Sequence, residues 1–536
     1  MNPRTNPRTN RTEMLLLVAI CGFLFFYGLG SFGLVGADEP RYAQVAREML
    51  QRSDWVTPVL QAKPWLEKPV LYYWQAMISF RAFGVSDRAA RLPAAFDAAM
   101  LIAAVYFFLR RFLPGSELDG ALIAASCAGV VGFAHAAATD MPLASCFAIA
   151  LLGWYGWYES RQRRYLVAFY TFLALGTLAK GPVAPALAAV IIFLFVAAKR
   201  DWLAIPRTLW IPGITLYLVV MLPWYIAVQV RNPEFFRFFI LEHNLGRFST
   251  NVYHHPQPFW FYVPVFMLAT MPWTVVLIVA VVERVRAIWT AGKRTLSNSD
   301  SWPLFLLIWM SVQVVFFTFS HSKLPGYILP AVPAGALLVA DYVAGRERDG
   351  KTIPPLLAAA HGVLCGLLIF AALSAGSIAT HHRLQWESWS YVAAGIASVF
   401  AVGISIALRT RAGVRLLSRV SLFAVVLSVA AIIRFAAPVI DVTQSARPIA
   451  ESIQAFSHEP VPIALYHLNR LQRYGLEFYL NRPAEFYESG NIPAEAHVVV
   501  GAQGTQSQVA QLVPGRRVSY LTSIPAEKVD LYWVGK

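Results

Sequence analysis

Apolar runs of around 20 residues recur down this chain, from Met14 to about Ala437, and each can cross a hydrocarbon core about 30 Å thick. That recurrence leaves few options. Backbone groups in lipid find no water, so only helices or a closed barrel satisfy them. A barrel would show alternating segments of about ten residues, and none dominate here. The expected fold class is an all-α polytopic membrane protein. Charged residues make up only 14% of the 536, where a soluble chain carries about 25%. Reading run by run gives about thirteen spans, near 14–35, 92–109, 119–138, 141–159, 165–180, 183–198, 208–230, 258–282, 302–319, 325–345, 355–378, 389–408 and 416–437.

The net charge of +15 does not indicate a nucleic-acid partner. Its basic residues fall in short loops between the runs, and the loops alternate. Arg4, Arg8 and Arg11 precede the first span; Arg110–Arg111, Arg161 with Arg163–Arg164, and Lys199–Arg200 follow the second, fourth and sixth. Arg284, Arg286, Lys293 and Arg294 follow the eighth, Arg346, Arg348 and Lys351 the tenth, and Arg409, Arg411 and Arg415 the twelfth. All share one side, and the positive-inside rule makes it the cytoplasm. Residues 1–13 are then a cytoplasmic tail, and the first run is a retained helix. The four cysteines, Cys21, Cys127, Cys146 and Cys365, lie within apolar runs. They read as small core residues, with neither disulfide nor metal thiolate expected.

The other loops face outward: 36–91, 139–140, the turn near Lys180, 231–257, 320–324, 379–388 and everything after about 438. The first is too long for a plain connector. Its stretch RYAQVAREMLQR places Tyr42, Val45, Ala46 and Met49 at helical spacing, which predicts a helix lying in the interface. From 438 to 536 strand and helix signals alternate (VPIALYHLN, RLQRYGLEFYLN, AHVVVGAQG, SQVAQLV, VDLYWVG), predicting a small outer α/β domain.

Sidedness turns distant polar residues into neighbours. Asp38 and Glu39 end the first span, and Glu67–Lys68 precede the aromatics Tyr72, Tyr73 and Trp74. Asp140 occupies a very short turn, and Lys180 lies in LAKGP. His243, Arg247, His254 and His255 share one outer loop; His321, Lys323 and Tyr327 lie in SHSKLPGYILP. Each residue also has an ordinary reading. Loop acids are solvated, Lys68 can snorkel from an interfacial helix, and Lys180 can cap a helix C-terminus. The histidine pair reads as solvated loop before metal ligand. Together they set cations beside an apolar groove, which suits a lipid-borne phosphate, with acids to orient or deprotonate an acceptor.

These patterns resemble the GT-C glycosyltransferases that use polyprenyl-phosphate sugars. The resemblance rests on Asp38–Glu39 followed by Arg41–Tyr42, and on EKPVLYYW, TDMPLA, LAKGP and SHSKLPGYILPAVPA. The acidic loop alone is shared with protein O-mannosyltransferases. The EKP and HSKLPGY patterns and the α/β tail favour the branch that adds 4-amino-4-deoxy-L-arabinose to lipid A. The resemblance implies an inverting enzyme that uses no nucleotide sugar. It divides the chain into a transmembrane glycosyltransferase domain, 14–437, and a periplasmic domain, 438–536.

It also implies roles for particular residues. Asp38 is the principal catalytic acid and Asp140 the second carboxylate. Lys68, Arg247 and Tyr327 bind the undecaprenyl phosphate. Glu39, Arg41, Tyr42, Glu67, Tyr72, His243, His321 and Lys323 line the cavity, and Glu67 with His243 is compatible with a divalent metal. The implied partners are an undecaprenyl-phosphate-linked donor, a lipid A acceptor and the lipids of a bacterial inner membrane, with the protein a monomer. A protein O-mannosyltransferase or another polyprenyl-phosphate-sugar transferase is the alternative within the class, and a lipid flippase or transporter the alternative outside it. A flippase would place its ionisable groups near the midplane and often shows inverted repeats; no internal repeat is visible here.

Overall fold

In a computed structural model of the full chain, the structure describes residues 11–239, 242, 257–291, 301–381, 384–456, 461–482 and 484–535. Each of the thirteen apolar segments contains a helix, in some broken once; the first, expected over 14–35, is helical only through Phe26. The first eleven helices are α1 (Arg11–Cys21), α2 (Asp38–Gln51), α3 (Leu71–Phe83), α4 (Asp87–Phe112), α5 (Glu117–Ala125), α6 (Ala128–Ala134), α7 (Asp140–Ser160), α8 (Arg163–Lys180), α9 (Val183–Lys199), α10 (Ala204–Thr208) and α11 (Ile211–Arg231). Among the described residues seven helices are long and apolar enough to cross a bilayer, or nine if two bent pairs each form one span. The remaining apolar segments, the first and those of α7, α8 and α9, are shorter or less apolar. This is a multi-pass membrane protein.

The two bent pairs explain each other. One is α5 with α6, bent by 62°, and the other joins Phe259–Ala269 to Thr274–Thr290 at 112°. A break frees backbone groups that lipid cannot satisfy. Here the breaks meet: the Ala128 N–H donates to the Met271 carbonyl at 2.9 Å, and the Trp273 indole N–H donates to Ser126 Oγ at 3.0 Å.

The segment between α1 and α4 carries the helix that the spacing predicts. In α2 the acids Asp38 and Glu39 occupy the first turn, where they complement the positive end of the helix dipole. Pro40 sits in the same turn, where its missing N–H costs nothing. Tyr42, Val45, Ala46 and Met49 are buried, as the spacing predicted. A short hairpin of β1 (Val59–Leu60) and β2 (Lys63–Pro64) leads into α3. Ser86 caps α4 by accepting the Ala89 N–H at 3.2 Å.

Beyond about residue 445 the chain forms a five-stranded mixed sheet of β3 (Ile463–Tyr466), β4 (Glu485–Phe486), β5 (His497–Ala502), β6 (Val518–Ile524) and β7 (Val529–Val534). The strand order is β4-β3-β5-β7-β6, parallel around β3 and antiparallel around β7. Alternation gives it two apolar faces. Ile463, Leu465, Val498, Val500 and Leu531 meet the helices Arg447–Phe456 and Arg470–Leu480, while Ala464, Val499 and Tyr532 meet Val509 and Tyr487.

Polar contacts clamp this unit to the segment that runs from α1 to the start of α4. The Tyr479 hydroxyl donates to Asp87 at 2.6 Å and accepts the Leu34 N–H at 2.7 Å. Arg447 pairs with Asp441 at 2.6 Å and with Asp87 at 3.1 Å, and Arg47 on α2 donates to the Phe478 carbonyl at 2.7 Å. All four cysteines are free and buried.

Candidate active site

The head of the site is the junction between α1 and α2, and it separates the two acids. The side chain of Glu39 turns inward. Its carboxylate accepts from the fully buried Arg91 at 2.7 and 3.2 Å and from the N–H groups of Val35 and Ala137 at 2.8 and 2.7 Å. Arg91 spends its other donors on the carbonyls of Leu29, Phe32 and Gly33, each at 2.8 Å. Glu39 therefore anchors the loop, which corrects its placement in the cavity. The side chain of Asp38 stays 54% exposed and meets Arg41 at 2.5 Å. Of the pair, Asp38 is open to a ligand.

Arg41 in turn stacks over Trp65, 5.2 Å from the ring centroid, and over Tyr474 at 5.6 Å. Its guanidinium is raised above the ordinary range. Burial, the largest influence, works against the charge, and Tyr42, Asp38 and Glu67 outweigh it. Burial also drives the Tyr42 phenol well above its usual value, with the charges of Asp38, Asp140 and Glu67 adding to it and Arg41 opposing. Asp38, Arg41, Tyr42, Glu67 and Asp140 thus share one electrostatic neighbourhood.

Asp140 opens α7, and Lys180 closes α8 with its ammonium 2.6 Å from that carboxylate. The same ammonium lies 4.9 Å from the Tyr327 ring centroid. Gly326, just before that tyrosine, is packed so closely on Asp140 that a Cβ there would collide with the carboxylate. The LAKGP, TDMPLA and HSKLPGY motifs therefore converge at one end of the bundle.

Several expected residues sit differently. Tyr72 is fully buried beneath Tyr42, and its hydroxyl donates to the Ala90 carbonyl at 2.9 Å. It packs the floor, which corrects its place among cavity residues. Lys323 is buried and donates to the Gln257 carbonyl at 3.3 Å. Exposed His321 lies just upstream, and Glu67 and Lys68 are half-buried in the turn ahead of α3. His243, Arg247, His254 and His255 lie outside the described residues. Among the described residues no three His, Cys, Asp or Glu side chains converge as a metal site.

Two polar anchors went unnoticed in the sequence. Arg91 lies near the start of α4, at the edge of an apolar run, and a cation in that position was its signal. Asp97 lies deep in the same helix, buried, and accepts from Gln75 at 3.0 and 3.1 Å. An acid within a span is a functional candidate by default.

A broken-helix bundle with acids and cations gathered at one end, beside an amphipathic helix, defines a membrane glycosyltransferase of the GT-C type. Residues 67–226 match the family described as dolichyl-phosphate-mannose-protein mannosyltransferase. The chain belongs, more particularly, to the aminoarabinose transferase family. It is 28% identical over 396 residues to the undecaprenyl phosphate-α-4-amino-4-deoxy-L-arabinose arabinosyl transferase of Serratia proteamaculans, covering 71% of this chain and 69% of that one. It is 30% identical over 378 residues to the Photorhabdus laumondii enzyme of the same name, covering 67% and 65%. With the Pseudomonas aeruginosa enzyme the identity is 30% over 353 residues, covering 64% and only 61% of that enzyme's length. The fold matches the crystal structure of ArnT from Cupriavidus metallidurans bound to undecaprenyl phosphate, with TM-score 0.78, 21% identity and 98% of both chains covered.

Proposed function

We propose that this enzyme transfers 4-amino-4-deoxy-L-arabinose from undecaprenyl phosphate to a lipid A phosphate at the periplasmic face of a bacterial inner membrane. The observation that carries the reading is the exposed Asp38 carboxylate, held by Arg41 in the same neighbourhood as the Lys180–Asp140 pair. The names of the relatives supply the sugar and carrier. The basic loops meet at the opposite end of the bundle, where Arg284 pairs with Asp341 at 2.6 Å and Arg415 with Glu347 at 2.8 Å. Their charge favours a cytoplasmic position for that end, and this supports a site that faces outward.

A phosphate monoester is already anionic at neutral pH and needs little deprotonation to act as nucleophile. Its oxygen attacks the anomeric carbon; a new C–O bond forms as the bond to the undecaprenyl phosphate oxygen breaks, with inversion. Positive charge grows on the sugar and negative charge on the departing phosphate. Asp38 faces the sugar, orienting its amine and stabilising the oxocarbenium character. Lys68 and Arg247 receive the departing phosphate, and Tyr327 flanks it. Asp140, clamped by Lys180, is a fixed acceptor for sugar hydroxyls more than a mobile base.

Mass spectrometry of lipid A tests the reading, comparing a strain that lacks this protein with one that has it restored. Loss and return of an aminopentose on lipid A phosphate is the expected result. Unchanged phosphate decoration, or a hexose missing from secreted proteins, would move the assignment to another acceptor.

A further inference from the structure

At the end of the bundle away from Asp38, a cleft of about 630 Å³ opens between the α7–α8 turn and the start of α11. Arg161, Arg163 and Arg207 line it, over a floor of Trp157, Leu166 and Trp210. The arginines are positioned by their neighbours. The guanidinium of Arg161 lies 5.3 Å from the Trp157 ring centroid and 5.1 Å from that of Tyr158, and Arg163 lies 5.7 Å from that of Trp210. One carboxylate answers them: Asp201, 3.3 Å from Arg161. Among the described residues none pairs with Arg163 or Arg207. Around the cleft, apolar side chains stand uncovered, with Leu203 62%, Leu209 60% and Ile211 76% exposed.

This combination answers one ligand chemistry. Three cations and one acid leave an excess of positive charge that suits a phosphodiester, and arginine forks match phosphate oxygens. Tryptophans mark the headgroup level of a bilayer. Exposed leucine and isoleucine directly beside the cations suit acyl chains and would be unfavourable in water. We propose that this cleft is a second lipid site, separate from the sugar-transfer site, that binds the headgroup phosphate of an anionic phospholipid with its chains along Leu209 and Ile211. Basic pockets between helices at the cytoplasmic side bind such headgroups by this chemistry. Only the choice of leaflet rests on the orientation proposed above; the binding itself does not.

Native mass spectrometry of the full-length protein in detergent tests it, with phosphatidylglycerol, phosphatidylcholine and inorganic phosphate as separate probes. Retained phosphatidylglycerol, little phosphatidylcholine and no lasting inorganic phosphate adduct are expected. Arg163→Gln and Arg207→Gln should each weaken phosphatidylglycerol retention about fivefold, and Arg163→Lys by less. Arg348→Gln, remote on the helix Val332–Arg348, should leave it unchanged. Equal retention of phosphatidylcholine, or unaltered retention in the Arg163→Gln/Arg207→Gln double variant with wild-type thermal unfolding, would overturn the proposal. Should that double variant misfold, the Arg163→Lys and Arg207→Lys singles carry the test, and retention in both equal to that of their Gln counterparts would count against it. Orientation is read separately: Gln162→Cys, labelled in intact cells by a membrane-impermeant maleimide, would reverse the leaflet and leave the detergent result standing.

Discussion

The Lys180 ammonium meets the Asp140 carboxylate at 2.6 Å, where the end of α8 touches the beginning of α7. With side chains only 11% and 17% exposed, the pair sits largely out of solvent, and removing one partner strands the other. Lys180→Met should cost about 2 to 3 kcal/mol of stability, less than a fully buried pair because some water still reaches it. Sugar transfer should fall with it, and Lys180→Arg should recover most of both. Thermal unfolding in detergent beside a donor-lipid transfer assay checks this; a Met variant as active as wild type would detach the pair from catalysis.

Asp38 and Glu39 should separate cleanly under substitution. Asp38→Asn touches an exposed side chain and should leave stability within about 0.5 kcal/mol, with transfer abolished and undecaprenyl phosphate binding kept. Wild-type turnover by this variant would remove Asp38 from the mechanism.

For the anchor, the expectation reverses. Arg91→Leu takes the paired cation from the Glu39 carboxylate, leaving it the Val35 and Ala137 N–H groups, and takes a donor from three carbonyls; it should destabilise the protein by about 3 to 5 kcal/mol. A lowered unfolding midpoint, measured before any loss of activity is interpreted, is the check.

Two glutamates where the sheet unit meets its neighbours make stability depend on pH. Burial lifts Glu477 to about 7 against the opposing Arg473 and Gln61, and it lifts Glu527 to about 7 against Gln472. One oxygen of each carboxylate is buried without a hydrogen-bond partner among the described residues. Their ordinary value is 4.5, so between that pH and about 7 the folded state holds protons that the unfolded state has released. Stability contributed by these groups is complete below 4.5 and is lost as pH rises through about 7. The unfolding midpoint should therefore drop from pH 5 to pH 8, and Glu477→Gln with Glu527→Gln should flatten the slope. An unaltered slope in the double variant would assign the dependence elsewhere.

How much of this was legible depended on whether the signal was local. Tyr42, Val45, Ala46 and Met49 announce α2 because their spacing is a property of that helix alone. Nothing near Ser126 marks the break between α5 and α6: there is no proline, and the freed N–H of Ala128 is satisfied by Met271, far along the chain. Likewise Asp38 and Glu39 are near-identical in sequence, and Arg91 decides which of them turns inward. Tyr72 stands among the expected cavity residues because an aromatic at an interface suits either anchoring or a sugar face; its burial under Tyr42 selects packing.

Gly326 gives the sharpest test of the site's geometry. Its backbone is not in the left-handed region, so alanine can adopt the conformation without strain, and the glycine must be needed for space. A Cβ would lie 2.6 Å from the Asp140 carboxyl carbon and 3.1 Å from Phe133, and would run into the carboxylate oxygen that Lys180 holds. Gly326→Ala must therefore push Asp140 aside, breaking its alignment with Lys180 and Tyr327 while the helices stay in place. Misplacing a catalytic group by about 1 Å can cost about 100-fold in rate. The turnover number should fall on that order, with undecaprenyl phosphate binding unchanged and a smaller loss of thermal stability than Arg91→Leu produces. Wild-type turnover from Gly326→Ala would mean that the position of the Asp140 carboxylate does not matter to transfer.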